Sequence, residues 1–391
     1  MQNSHCISYS LSIMIACGLW APNSMADNYW RFAYYVYSII YHLLFFFPVL
    51  FIEFIYLCLV SDSVENLAAA SLLLLTHVSQ LLKICIYWFR HDGIRTLLVR
   101  IDEPIFHRVE PDKKEILEST GKNTLKISKY FFTLVFTTGM FWGTYPLLKP
   151  VLTLPLNYPY ITSDNPIFWY IYMFEIVSMT MMGIAVASMD FLIGGLMSIA
   201  GSQLELLSYE ISSVGCFGTL EEKSNKNEDR DYEQLVSCVK FHINIISLVK
   251  EMESLFGLPL FFQFLLSSIT ICVTAFRATV SSEPLEMVTM IFYLMCVSSE
   301  LLLFCYYGDI LKRKGELVLK EAYCSYWYKA SLRAQKVLVL LMVRAGKPLV
   351  LTAGKLFELS LMTYSTVSIE LSFKCSHTNF FAYNNKYGLR N

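Results

Sequence analysis

The chain has 391 residues, of which 55% are hydrophobic and only 16% are charged, and its mean hydropathy is +0.47. Water-soluble proteins carry roughly 25% charged residues, because a compact fold needs a polar exterior. This composition excludes an ordinary soluble protein. The balance of 31 basic against 32 acidic residues also excludes the basic surface with which nucleic-acid-binding proteins neutralise phosphates.

Seven stretches are apolar and long enough to cross a bilayer, which takes roughly 17 to 25 residues in a helix. They lie at about 33–60, 67–89, 130–149, 166–189, 255–276, 285–307 and 349–371. The sequence therefore predicts an all-α protein, a seven-transmembrane helix bundle whose two termini lie on opposite sides of the membrane.

Lys and Arg residues are concentrated in alternate connections between these spans. Nine lie between the second and third spans, five between the fourth and fifth, and nine between the sixth and seventh. The other three connections hold only Lys149 and Arg277. Because basic loops stay on the cytoplasmic side, this alternation predicts a cytoplasmic N-terminus and an extracellular C-terminus, the reverse of a G-protein-coupled receptor.

Motifs of the common enzyme families, including the zinc-protease, serine-hydrolase and nucleotide-binding patterns, do not occur in the sequence. The seven histidines are never spaced as metal ligands beside a cysteine or a carboxylate. The sequence therefore predicts no enzyme activity, no cofactor and no metal site.

Acidic residues inside the predicted spans are the exceptions to the apolar pattern. They are Glu53, Glu175, Asp190, Glu300, Glu358 and Glu370. Ionisable groups at membrane depth are costly, so they generally face protein or water and are candidates for function. We expect Asp190 to lie near the cytosolic end of its helix, where simple hydration and a functional role are both open interpretations. We expect Glu300 to form hydrogen bonds within the bundle or to face a water-filled vestibule.

The last span carries a stripe of mixed polarity when it is plotted at helical spacing. This stripe is a candidate pore lining and consists of Leu356, Ser360, Thr363, Val367 and Glu370. A helix with such a stripe either packs through its hydroxyl groups or lines water. One helix cannot enclose a pore, so the second interpretation requires several subunits around an axis.

Aromatic and Met residues are concentrated in the predicted outer halves of the third, fourth and sixth spans. The candidate ligand-binding residues are Phe141, Trp142, Tyr145, Tyr170, Phe174, Met179, Met181, Met287 and Tyr293. Apolar, aromatic and thioether walls suit a small, weakly polar ligand. An aromatic belt at the membrane interface has the same composition, so for each single residue both interpretations stay open.

The most specific motifs of the sequence lie near the C-terminus. They are Cys305-Tyr-Tyr-Gly308, Ala322-Tyr323, Trp327, the basic and apolar run 333–347, the segment from Pro348 to Gly354, and the segment from Leu359 to Tyr364. Weaker motifs are Gly18-Leu19-Trp20, Met189-Asp190-Phe191, Gln203-Leu204 and His242. In these motifs, and over nearly its whole length, the chain resembles the insect odorant receptors. After Val367 the sequence departs from the aromatic and Ser-rich ending of the family.

This resemblance implies a ligand-gated, non-selective cation channel of four subunits. In it an odorant-tuned subunit joins a shared co-receptor in the plasma membrane of olfactory sensory neuron dendrites and detects small volatile molecules. It also implies that a helix starting near Gly354 lines the pore and that a short helix at about 325–345 belongs to a cytosolic anchor between subunits. The anchor candidates are Trp327, Arg333, Lys336 and Pro348.

The spans and the resemblance together divide the chain into five predicted segments. These are a cytoplasmic N-terminal segment at 1–32, a six-helix transmembrane ligand-binding bundle at 33–308 with cytoplasmic loops at 90–129 and 205–254, an anchor helix region at 309–348, a seventh, pore-lining helix at 349–373, and an atypical extracellular tail at 374–391.

Three other classes remain as alternatives at this point. A gustatory receptor of similar architecture would carry Gln-Phe five residues after Thr363-Tyr364, whereas this chain has Glu370-Leu371. A transporter would show paired broken helices in matching halves, which the sequence lacks. A metabotropic receptor would place its basic loops in the opposite alternation.

Overall fold

The computed structural model describes residues 5–22, 28–59, 64–106, 114–148, 166–214, 225–280 and 283–367. The helices are α1 His5–Ala16, α2 Asn28–Tyr41, α3 Phe47–Leu59, α4 Val64–Phe89, α5 His91–Ile101, α6 Lys114–Thr144, α7 Phe168–Ser212, α8 Asn225–Val280, α9 Pro284–Cys324, α10 Leu332–Ala345 and α11 at 361–367. The two short strands are β1 Thr352–Ala353 and β2 Phe357–Glu358. The predicted all-α class is confirmed.

Five helical segments of the described chain are long and apolar enough to cross a membrane. They are Tyr29–Leu59, Ala70–Phe89, Phe168–Ser212, Arg230–Ala278 and Pro284–Cys324. Each contains one of the predicted spans or most of it. The predicted third span lies in the C-terminal half of α6 and continues into the 3-10 turn Tyr145–Leu148.

A π-helical turn, His42–Phe46, joins α2 to α3. Pro48 lies two residues after this turn and explains the irregularity, because proline has no N–H to donate and its ring crowds the carbonyl four residues earlier. The wider turn lets the N–H of Phe47 bond the carbonyl of His42. One apolar element therefore continues from α2 through α3.

The helix α7 forms the centre of the bundle, packed mainly against α9, α6 and α1. Every residue from 187 to 204 is buried, as expected of a helix that is apolar on all sides. Small residues permit close packing around it. A Cβ added at Gly143 would lie 3.1 Å from Ile176, and the hydroxyl of Thr124 hydrogen-bonds Ser198 at 2.8 Å.

The two connections predicted to be cytoplasmic loops are largely helical. The helix α7 continues to Ser212 and α8 already begins at Asn225, so most of 205–254 is helix. The other connection, 90–129, holds α5 and the first half of α6. Apolar residues at helical spacing explain this, since Ile94, Leu97 and Ile101 bury one face of α5.

The prediction of a helix from residue 349 is wrong. Residues 352–358 form a hairpin in which Thr352 pairs with Glu358 and Ala353 with Phe357. Gly354 and Lys355 both take positive φ angles, of 61° and 62°, which a helix excludes. Within the described part of the last span, helix occupies only 361–367. The remainder of the predicted seventh helix, 368–373, and the tail 374–391 lie outside the described residues.

Candidate functional site

A cavity of about 140 Å³ lies inside the bundle, between α4, α6, α7 and α9. Its walls are mainly apolar and are formed by Leu73, Phe131, Val135, Trp142, Met179, Val186, Ala187 and Val297, with the glycines Gly139 and Gly183. Polar side chains enter it at Thr76, His77, Gln80, Thr138, Thr180, Tyr293, Cys296 and Glu300. Apolar walls with a few polar groups are typical of a site for a small organic ligand.

Tyr293 on α9 is fixed in the cavity wall by two contacts. Its hydroxyl hydrogen-bonds the hydroxyl of Thr76 on α4, and its ring lies 5.4 Å from that of Trp142 on α6. Aromatic rings at this separation attract each other beyond the burial of their surface. Three helices therefore hold one rigid aromatic wall.

Three acidic side chains face a histidine or a lysine beside this cavity. On one side, Nδ1 of His77 lies 2.7 Å from a carboxylate oxygen of Glu53, and both side chains are buried. On the other, Nζ of Lys83 lies 2.5 Å from Oδ1 of Asp190 and 2.8 Å from Oε1 of Glu300. Burial of such groups is tolerated because each charge has a partner.

The Lys83 triad, formed by Lys83, Asp190 and Glu300, links α4, α7 and α9. Of the two interpretations of Asp190, simple hydration by cytosolic water is wrong, because the exposed fraction of Asp190 is 0%. The expectation for Glu300 agrees with the structure, since Glu300 bonds Lys83 and also lines the cavity. Sequence reasoning missed Lys83, although an isolated cation inside an apolar span is a usable signal.

The profile of the family described as "7tm Odorant receptor" matches residues 63–369 of the chain. The chain belongs to the seven-transmembrane odorant receptor family. The resemblance to insect odorant receptors is thereby confirmed, and so is the seven-transmembrane fold class. The gustatory, transporter and metabotropic alternatives are not favoured.

Individual odorant receptors of Drosophila melanogaster are similar to the chain at moderate identity. Putative odorant receptor 85d is 26% identical over 268 residues, which cover 64% of this chain and 62% of that receptor. Odorant receptor 67c is 26% identical over 273 residues, which cover 66% of this chain and 64% of that receptor. The chain therefore spans just under two thirds of the length of these relatives.

Solved structures of an insect olfactory receptor share the fold. The structure of OR5 from Machilis hrabei in complex with eugenol superposes with a TM-score of 0.82 at 18% identity, over 96% of this chain and 97% of that one. The structure of OR5 described without eugenol gives a TM-score of 0.80 at 18% identity, over 95% and 97%. At this identity the likeness supports the fold alone.

Three of the nine predicted ligand-binding residues of this odorant receptor line the cavity, namely Trp142, Met179 and Tyr293. Phe141 instead stacks on Phe292 at 4.4 Å, and Phe174 stacks on Phe45 at 6.4 Å. Tyr170, Met181 and Met287 are exposed on the monomer, and Tyr145 belongs to the 3-10 turn after α6. The search for aromatic and Met residues overlooked the Gly, Thr and Gln residues of the cavity, which carry no such signal.

The predicted pore stripe does not form one helical face. Leu356 lies in the hairpin, 70% exposed, and is thus no part of a helix. Ser360 is buried and its hydroxyl accepts the N–H of Thr363 at 3.2 Å, while the hydroxyl of Thr363 donates to the carbonyl of Glu358. Thr363 and Val367 are partly exposed on α11. Glu370 lies outside the described residues, and pore lining stays a prediction.

The predicted anchor residues lie on and beside α10. Trp327 is in a 3-10 turn, Arg333 and Lys336 are exposed on α10, and Pro348 is exposed after it. The buried face of α10 consists of Ala334, Leu338, Leu341 and Ala345. Its opposite face exposes four large apolar side chains, those of Leu332, Val339, Leu340 and Val343. The role of these residues between subunits stays a prediction.

Proposed function

We propose that this multi-pass membrane protein is an odorant-tuned subunit of a ligand-gated, non-selective cation channel. It acts at the plasma membrane of olfactory sensory neuron dendrites, in a heterotetramer with a co-receptor subunit. The observation that carries this proposal is the cavity between α4, α6, α7 and α9 in a chain of the odorant receptor family. Its mainly apolar walls suit a small volatile molecule.

Gating follows from a difference in affinity between two arrangements of the bundle. A ligand opens a channel only if it binds the open arrangement more tightly than the closed one. The cavity is suited to this, because its walls come from four helices and the Lys83 triad beside it ties three of them together. A ligand that changes the spacing of these helices also changes the packing of α9 against the hairpin and α11.

The pore is proposed to be lined by α11, with Thr363 and Val367 among the lining residues. Exposed hydroxyl groups on α11 support this, since Ser365 and Thr366 are also accessible on the monomer. The exposed apolar side chains of α10 support assembly, because such side chains are stabilised by contact with another subunit.

The orientation is proposed from the alternation of basic connections, with the N-terminus in the cytoplasm. An Asn-x-Ser acceptor inserted between residues 150 and 165 should be glycosylated, whereas one inserted at 346–348 should not. Glycosylation of the second insertion and not the first would reverse the orientation.

The test is co-expression with a co-receptor in cells, with recording of currents evoked by a panel of volatiles. Trp142→Ala should change the potency of an active volatile, because Trp142 forms the aromatic wall of the cavity. Tyr170→Ala is the matched control, since Tyr170 is 80% exposed and does not line the cavity. Currents that vanish when G proteins are blocked would instead support a metabotropic receptor.

A further inference from the structure

Gln80 on α4 presents an unusual polar group to the cavity. Its side chain lines the cavity, yet the residue is only 3% exposed. Its Nε2 donates a hydrogen bond to the carbonyl of Met182 on α7 at 3.3 Å. Among the described residues, its Oε1 has no hydrogen-bond partner.

The chemistry of the amide fixes which of its two ends faces Met182. A backbone carbonyl only accepts hydrogen bonds, so the amide nitrogen must point toward it. The oxygen is then the end that remains, and it is an acceptor with no hydrogen of its own. A buried acceptor without a donor is costly, so a donor inside the cavity would be bound favourably.

The hydroxyl groups of the cavity do not supply this donor. Thr138 donates its hydrogen to the carbonyl of Leu134 at 2.8 Å, and Thr180 donates to the carbonyl of Ile176 at 2.7 Å. Thr76 bonds the carbonyl of Leu72 at 3.1 Å and the hydroxyl of Tyr293. Because each hydroxyl has one hydrogen, these groups are already committed within the bundle.

The size of the cavity limits the molecule that can carry the donor. A cavity of about 150 Å³ with apolar walls is known to bind benzene. The cavity of this odorant receptor, about 140 Å³, therefore suits a single small ring or a chain of similar volume. Such a molecule has room for one hydroxyl group directed at Gln80.

We propose that the cavity selects small apolar molecules that carry one hydroxyl group, and that Gln80 Oε1 accepts its hydrogen bond. This inference rests on the proposed function, because it assumes that the cavity is where the activating molecule binds. Gln80 is then a specificity-determining residue. It distinguishes a phenol or alcohol from an ether or hydrocarbon of similar shape, since a site that pairs a ligand hydroxyl rejects the analogue without one.

Phenol, anisole and toluene are the probes, because all three carry the same ring, and only phenol has a hydrogen to donate. In cells that express the receptor with a co-receptor, phenol should activate the current at about tenfold lower concentration than toluene, equivalent to about 1.4 kcal/mol. Anisole should behave as toluene does. Equal potency of the three in the wild-type protein would overturn the inference.

Gln80→Met removes the acceptor while keeping the length of the side chain. It should abolish the advantage of phenol and leave the potency of toluene unchanged or improved. Gln203→Met is the matched control, because Gln203 on α7 is also buried and its Nε2 donates to the carbonyl of Phe106, but it does not line the cavity. An equal loss for phenol and toluene in Gln80→Met would mean that Gln80 has only a structural role.

A measurement on the purified wild-type protein separates this inference from the proposed function. Phenol should raise the melting temperature more than toluene does at equal free concentration, since binding to the folded state stabilises it. If phenol stabilises the protein in this way but no volatile evokes current, the inference stands and the channel function fails. If toluene and phenol evoke equal currents and equal stabilisation, the channel function stands and the inference fails.

Discussion

Lys83 and Asp190 lie 107 positions apart in sequence, yet Nζ of the lysine is 2.5 Å from Oδ1 of the aspartate inside the bundle. The same ammonium group is 2.8 Å from Glu300, so one cation faces two carboxylates. Because one cation serves two carboxylates, removal of the lysine should destabilise the protein more than removal of either acid. Removal of the lysine leaves two buried acids without a partner, whereas removal of either acid leaves a complete pair.

Lys83→Met should therefore be far more damaging than Asp190→Asn. Breaking a buried pair by deleting one partner typically costs about 3–5 kcal/mol, which is a large part of the stability of most domains. We expect little Lys83→Met protein at the cell surface and near-normal amounts of Asp190→Asn. Surface biotinylation and the melting temperature of the purified protein measure the difference. Equal surface amounts of the two variants would contradict this account of the triad.

Gly308 on α9 should not tolerate a methyl group. A Cβ at this position would lie 2.3 Å from the carbonyl oxygen of Leu359, and backbone atoms cannot rotate away as a side chain can. Gly308→Ala should therefore displace the segment between the hairpin and α11, at a cost of about 1–3 kcal/mol. A reduced melting temperature together with altered ligand-evoked current is the expected result.

Gly346→Ala is the matched control for this substitution. At Gly346 the nearest atom to an added Cβ, the carbonyl oxygen of Met342, lies at 3.4 Å, which is an ordinary contact. Its melting temperature should stay close to that of the wild-type protein. If Gly308→Ala melts at the same temperature as Gly346→Ala, the close approach of α9 to Leu359 does not constrain the fold.

Much of the architecture was predictable because hydrophobic length and period are local properties of the sequence. The apolar runs at 33–60, 67–89 and 166–189 lie in helices of the bundle. The hairpin at 352–358 was not predicted, although Gly354 was a signal for a break. Its left-handed residues are stabilised by tertiary contacts, such as the bond from the N–H of Gly354 to the carbonyl of Gly257, which no local pattern contains.

The cavity was predicted only in part for a similar reason. Aromatic and Met residues in the outer halves of spans gave Trp142, Met179 and Tyr293, but the same composition also gave the exposed Tyr170. Whether an aromatic residue faces lipid or the cavity depends on how its helix is rotated about its own axis. In spans that are apolar on several sides, the sequence pattern does not determine this rotation. A predicted pairing of Lys83 with the acidic residues of other spans would have determined the rotation of these helices, because buried charges require partners.

Acidification should destabilise the receptor through His91, which is the first residue of α5 and stacks on Trp20 at 4.5 Å. Burial lowers the pKa of His91 below 6.5, with Arg95 and Arg31 acting in the same direction and the neighbouring Asp92 opposing them. The unfolded chain then binds a proton more readily than the folded protein does. The free energy of unfolding is therefore not reduced by His91 above pH 6.5, and it decreases as the pH drops below that value.

His91→Phe tests this contribution, because it keeps an aromatic ring beside Trp20 and cannot take up a proton. The melting temperature of the wild-type protein should fall more between pH 7.5 and pH 5.5 than that of the variant. Other groups titrate equally in both proteins, so the difference between the two slopes reports His91. Parallel slopes would mean that His91 is hydrated in the folded protein.

Ser360 should be required for the start of α11, where the proposed pore begins. Its hydroxyl accepts the N–H of Thr363 at 3.2 Å, the bond of a helix N-cap, and the residue is only 7% exposed. Ser360→Ala removes this acceptor and should cost about 1 kcal/mol at the beginning of the helix.

Ser360→Asp restores a capping oxygen and gives the first turn a favourable negative charge, so stability should recover if the hydroxyl acts as a cap. Melting temperatures of the two variants, with ligand-evoked current as the second measurement, decide this. A Ser360→Ala protein indistinguishable from wild type in both would show that the hairpin alone sets where α11 begins.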